Sequence, residues 1–148
     1  MSFNFHRDVL AFHKKFELPI EKYPAFPSNE ILEFRVKFLK EELDEFNEAI
    51  NNENIVKAFD ALIDIVYVAL GTAAFMNLPF QQGWDIVHNA NMTKIRARKA
   101  SDSKRGTTYD IVKPPNWVAP DMMLHSLLLK HEYDLRTEGN VNEEEDDE

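Results

Sequence analysis

A chain of 148 residues with 44% hydrophobic side chains and eleven Phe is long enough for one domain with a real core, and too apolar to be disordered. It has no cysteine, which excludes disulfides, thiolate zinc sites and cysteine nucleophiles and makes a reducing, cytoplasmic location the expectation. The net charge of −9 is mostly terminal: residues 132–148 carry nine acids against Arg136 alone, leaving residues 1–131 close to neutral.

Taken in chain order, Phe5, Val9, Phe12 and Phe16 recur at three to four residues, the period of an amphipathic helix beginning near Asn4 and stopping before Pro19. Three prolines between Pro19 and Pro27 mark an extended connector. Ser28 is then the N-cap of a second helix running to about Ile50, with Ile31, Phe34, Phe38, Leu39, Leu43, Phe46 and Ile50 as its apolar stripe. After a polar turn, Asn54 caps a third helix that reaches about Met76. Pro79 suits the first turn of a fourth helix, ending near Lys94.

Residues 95–120 show no sustained period, and Gly106, Pro114, Pro115 and Pro120 point to an irregular arm, with a short strand or hairpin near Thr107 to Val112. Asp121 caps a short last helix, Met122 to Lys130. The expected organisation is therefore all-α: a four-helix bundle with a C-terminal arm and short last helix over residues 1–131, then an acidic, disordered tail over 132–148. Asp60, Asp64 and the Asn77-Leu78-Pro79 break interrupt the best candidate for a membrane span, so no membrane partner is expected. Residues Met1 to Arg7 lack the pattern of a secretory signal.

The chemistry concentrates in carboxylates. Asp60 and Asp64 lie one helical turn apart in the apolar run Ala58 to Leu70, which offers no obvious water-facing side, and carboxylates withdrawn from water need a cation or hydrogen-bond partners. Glu41, Glu42, Asp44 and Glu45 lie near the end of the preceding helix. A short turn between the two helices makes them an antiparallel hairpin that brings both clusters together. Oxygen donors without His or Cys favour Mg²⁺ or Mn²⁺. The competing readings are a solvated glutamate face and, for the aspartates, salt bridges to Arg35, Lys37 or Lys57. Residues 94–113 hold seven bases against two acids, and an acidic centre with a basic arm suits a phosphate ester.

Glu41-Glu42-x-x-Glu45, followed by the segment ending Asp64-Ile65-Val66-Tyr67, resembles the MazG-like all-alpha nucleotide pyrophosphohydrolases, a family that includes the phosphoribosyl-ATP pyrophosphohydrolases. His88-Asn89-Ala90-Asn91-Met92-Thr93-Lys94 and Lys113-Pro114-Pro115-Asn116-Trp117 extend the likeness to a bacterial and phage branch, over roughly residues 8–122. There is one departure: Ala61 stands where the family motif has glutamate, and Asp60 is taken as the substitute carboxylate.

The resemblance implies hydrolysis of a nucleoside triphosphate to monophosphate and pyrophosphate, by water attack at the α-phosphorus. Glu42, Glu45, Asp60 and Asp64 would hold Mg²⁺ or Mn²⁺, and Glu41 would orient or deprotonate the water. Asn91 and Lys94 would approach the phosphates, joined by Lys113 and by Arg98 or Arg105 at the leaving group, with His13 as a further substrate contact. The resemblance also implies a homodimer or dimer of dimers. The rival readings are a phosphoribosyl-ATP pyrophosphohydrolase and a non-enzymatic helical interaction module that docks a basic partner through its tail. Nucleic acid is an unlikely ligand, because the acidic tail would compete for the short basic arm.

Overall fold

A computed structural model of the chain describes residues 4–145, with side chains through Gly139. It contains five α-helices: α1 (Phe5–Lys15), α2 (Asn29–Asn51), α3 (Ile55–Phe75), α4 (Phe80–Met92) and α5 (Asp121–Glu145). Two short strands, β1 (Ile95–Arg96) and β2 (Ile111–Val112), pair antiparallel, Ile95 opposite Val112 and Arg96 opposite Ile111. The all-α class and the irregular arm are as the sequence implies, and the arm's strand pairing spans more chain than the expected hairpin.

The first three helices start where small polar side chains can take a free amide. Asn4 accepts from the Arg7 N–H at 3.0 Å, Ser28 from Ile31 at 3.3 Å and Asn54 from Lys57 at 3.1 Å. They also end alike. Leu18 N–H donates to His13 O and Glu17 N–H to Lys14 O, and the same paired bonds recur at Asn54/Glu53 after α2 and at Leu78/Asn77 after α3. This is the Schellman ending, which needs a left-handed residue just past the helix. Here Glu17, Glu53 and Asn77 adopt it, with φ of 54°, 51° and 50°.

The chain divides into two compact units, residues 1–80 with 131–148, and residues 81–130. In the first unit α3 packs against α2 and α1. Its buried side is built from small residues, Ala58, Ala61, Gly71, Ala73 and Ala74, with Val68, Leu70 and Phe75, so neighbouring backbones can approach closely. Val9, Leu70 and Ala74 form the centre, with Phe80 packed against it. The second unit holds α4 from Gln81, the arm, and the first half of α5.

Three expectations need correcting. The buried face of α1 is Val9 and His13, while Phe5, Phe12 and Phe16 remain exposed at 63%, 40% and 53%. The helix α3 does have an exposed side, formed by Ile55, Val56, Phe59, Ile63 and Val66. It is also long and apolar enough, by length and composition, to cross a membrane, so Asp60 and Asp64 do not interrupt it as expected. Finally, α5 continues to Glu145, and the acidic stretch is helical from 132 through 145, with residues 146–148 outside the described residues. Local contacts favour that helix: Arg136 bonds Glu132 one turn back at 2.6 Å and lies 3.9 Å over the Tyr23 ring, and His131 meets Asn77 at 3.2 Å.

Candidate active site

The carboxylates of α2 and α3 share one electrostatic neighbourhood, and Glu42 is its centre. Glu42 is 7% exposed, and its Oε2 is buried without a hydrogen-bond partner. Burial pushes its carboxyl above the usual range, and the charges of Glu45, Asp64, Glu41 and Asp60 add to the rise. The four contributors are the other carboxylates of the predicted site.

The positions of the aspartates differ from expectation. Asp64 is half-buried, and Asp60 is exposed, its carboxylate 3.4 Å from Lys57 Nζ in a surface ion pair. Such a pair contributes little to stability. Ala61, where the family motif has glutamate, is 2% exposed, and Asp60 beside it points to the open side of the helix. The carboxylate withdrawn from water is thus Glu42 on α2, which hydrophobic context in α3 could not reveal.

As the side chains stand, no three His, Cys, Asp or Glu groups among the described residues converge closely enough to hold a metal ion. The donor chemistry nevertheless fits a hard divalent cation, because all five groups are carboxylates and one buried oxygen has no partner. Glu41, Glu45 and Asp60 are exposed and can change rotamer at small cost. Beside them lies a pocket of about 410 Å³ lined by Glu45, Glu48, Ala49, Asn52, Asn54 and Lys57.

His13, expected to touch substrate, is 2% exposed and stacks edge-on to Phe75 at 4.6 Å. Burial lowers its proton affinity, and the Arg35 guanidinium and His6 lower it further. Arg35, which the sequence offered as a salt-bridge partner for the aspartates, is instead a buried cation held by other groups. Its Nη2 donates to Val68 O at 2.7 Å and its Nε to Thr72 Oγ1 at 3.1 Å, and it lies over the rings of Phe34, Phe38 and Phe75. Gly71 makes the room, since a Cβ there would stand 2.8 Å from Arg35 Nη2. The one signal in the sequence was the Gly71-Thr72 pair, small and hydroxyl-bearing in an apolar helix.

In the second unit Asn91 is exposed. Lys94 Nζ and Lys113 Nζ lie 5.0 and 4.8 Å from the centre of the Trp117 ring. Arg105 is committed elsewhere, to Asp110 at 2.8 Å, and that carboxyl is held below the usual range first by the Ser103 hydroxyl and then by Arg105. Arg98 lines a pocket with Arg96 and Asp102.

The hairpin of α2 and α3 thus sets four carboxylates in the electrostatic neighbourhood of a buried, unpartnered Glu42 oxygen. Residues 9–91, more than half of the chain, match the phosphoribosyl-ATP pyrophosphohydrolase family, and the chain belongs to it. A search of curated proteins finds no match. Family membership makes the chain a nucleotide pyrophosphohydrolase. The matched stretch includes every carboxylate of the cluster and stops before Lys94, Lys113 and Trp117.

Proposed function

We propose that the chain hydrolyses a nucleoside triphosphate to the monophosphate and pyrophosphate in a metal-dependent reaction. The observation that carries this reading is the Glu42 Oε2, buried without a partner amid four further carboxylates. An oxygen so placed is costly in the free protein and becomes favourable beside a cation. Glu42, Glu45, Asp60 and Asp64 would hold Mg²⁺ or Mn²⁺, which when bound offsets phosphate charge and acidifies a water. Glu41 holds the attacking water and takes its proton on a carboxylate oxygen. As the water oxygen bonds to the α-phosphorus, the bond to the α,β-bridging oxygen breaks and pyrophosphate departs. Lys94 and Lys113, from this chain or from a second copy, would offset the charge that collects on it, with Asn91 as a neutral donor to the phosphates.

The family match favours one second reading, in which the substrate is phosphoribosyl-ATP. The same bond would break and the same carboxylates would serve. What supports the triphosphate reading is the basic arm with its two lysines on Trp117, outside the matched residues. We further propose a cytoplasmic homodimer or dimer of dimers, because Phe12, Phe16, Leu43, Phe59, Ile63 and Val66 stand exposed on the first three helices. The mass measured by light scattering in solution checks it.

The deciding experiment is pyrophosphate release from ribo- and deoxynucleoside triphosphates and from phosphoribosyl-ATP, with Mg²⁺ or Mn²⁺. The intact chain is compared with Glu41→Gln, Glu42→Gln and Asp64→Asn. Metal-dependent release from a triphosphate that drops at least about 100-fold in all three variants is expected. Release from phosphoribosyl-ATP alone would move the substrate to the second reading. No release from any of them, with no metal-dependent stabilisation, would overturn both and leave the interaction module.

A further inference from the structure

The motif Lys113-Pro114-Pro115-Asn116-Trp117 folds as a tight turn. Trp117 N–H donates to Pro114 O at 3.2 Å, and Asn116 takes φ of 63°, the pattern of a type II turn with Pro and Asn at its centre. The turn returns the indole to the end of α4, where its Nε1–H donates to Ala90 O at 3.0 Å. Ala90 O also accepts from the Thr93 hydroxyl at 2.7 Å, so the indole is tied to the same last turn that leads into Lys94.

Lys94 and Lys113 therefore meet on one ring although they are far apart in sequence. Both ammonium groups are within 5.0 Å of its centre, which keeps the charges within about one Debye length of each other. Neither is paired with an acid among the described residues. Two unpaired cations so close repel, and the negative face of the indole offsets only part of that cost. A ligand with two or more negative charges would remove the rest.

We propose that Trp117 is a positioning residue, whose indole gathers Lys94 and Lys113 into a single dicationic clamp for a pyrophosphate group. This rests on the triphosphate reading for its role in turnover, but the clamp can be tested without turnover. The antiparallel pairing of Ile95 with Val112 brings the adjoining residues Lys94 and Lys113 side by side. The indole then gives their two ammonium groups a common resting surface.

The chain has two tryptophans, so Trp84→Phe leaves Trp117 as the only indole reporter. Titrating that variant with inorganic pyrophosphate, without added metal, is expected to change the fluorescence saturably, and less so at high salt. Lys94→Gln and Lys113→Gln should each weaken the response, with a double variant that is not the sum of the two. Trp117→Leu is expected to weaken pyrophosphate binding and lower kcat/KM together, about three- to tenfold, with Trp117→Phe recovering most of the loss because it keeps an aromatic face. Unchanged fluorescence in an enzyme that turns over triphosphate would overturn the clamp, as would additive lysine effects. A response that needs both lysines in a chain that hydrolyses nothing would uphold the clamp and sink the hydrolase reading instead. The fluorescence arm leaves Trp117 in place, so it still decides if Trp117→Leu does not fold.

Discussion

Glu42 and Arg35 are two charged side chains of α2, both 7% exposed, and their surroundings are opposite. Arg35 is satisfied by a carbonyl, a hydroxyl and three aromatic faces, whereas one Glu42 oxygen has nothing. A satisfied buried cation is structural, whereas an orphaned carboxylate beside like charges is what the proposed cation site would leave in the metal-free chain. Glu42→Gln is therefore expected to stabilise the metal-free protein at pH 7 and to abolish the rise in thermal midpoint that the proposed Mg²⁺ or Mn²⁺ site would give the intact chain. Parallel melting curves with and without metal check this. The histidines set a pH dependence of definite sign. His6 and His13 have lowered proton affinity through burial, so the folded state keeps them neutral while the unfolded chain takes up protons near the ordinary value. Their contribution is fully present above about pH 6.5 and is lost as pH falls below it. Urea midpoints between pH 7.5 and 5 should fall, with a shallower slope in His13→Gln.

At the level of the helix, composition wrote the beginnings legibly and the ends less so. Asn4, Ser28 and Asn54 are read as caps from residue type and position, and each makes the expected bond. The ends carry no glycine, the usual signal, because glutamate and asparagine occupy the left-handed positions. A side chain there costs on the order of 1 kcal/mol. Glu17→Gly is therefore expected to stabilise the protein by up to about 1 kcal/mol, and Asn54→Ala to destabilise it by about 1 kcal/mol, both measured by urea unfolding. Gly71 reverses the ordinary preference of a helix for alanine. In Gly71→Ala the new methyl would push Arg35 from its bond to Val68, and a loss of about 1–3 kcal/mol is expected in place of the usual gain. The apolar stripe of α1 was misplaced for a related reason: His13 is the buried partner of α3, since a neutral imidazole can pack against Phe75 as an aromatic, while Phe12 meets Tyr67 of α3 edge-on at 5.5 Å and stays 40% exposed.

For the whole molecule, the second half of α5 groups with α1 to α3. Removing residues 131–148 deletes the His131 bond to Asn77 and the Arg136 contact with Tyr23. The thermal midpoint should therefore drop. Removal of 138–148 alone keeps both contacts and should leave the midpoint unchanged, which differential scanning calorimetry of the two truncations would show. Nine acids with one base resemble a disordered tail, yet the described part is helical, where Arg136, four residues after Glu132, pins one turn and an aromatic ring anchors the same guanidinium.

What the sequence determined alone were the local events: the helix periods, the three caps, the break at residues 95–120 and the two carboxylate clusters on adjacent helices. Each depends on residues within about one turn, where propensity and hydrogen bonding act directly. The tertiary structure decided which charges lose water. Asp60 sits in an apolar run yet lies on the open side of α3 and Asp64 is only half-buried, while Glu42, in a polar run, is covered. Burial is set by the helix that packs opposite and not by neighbours in the chain. The meeting of Lys94 with Lys113 on Trp117 likewise needed a turn and a strand pair to form first.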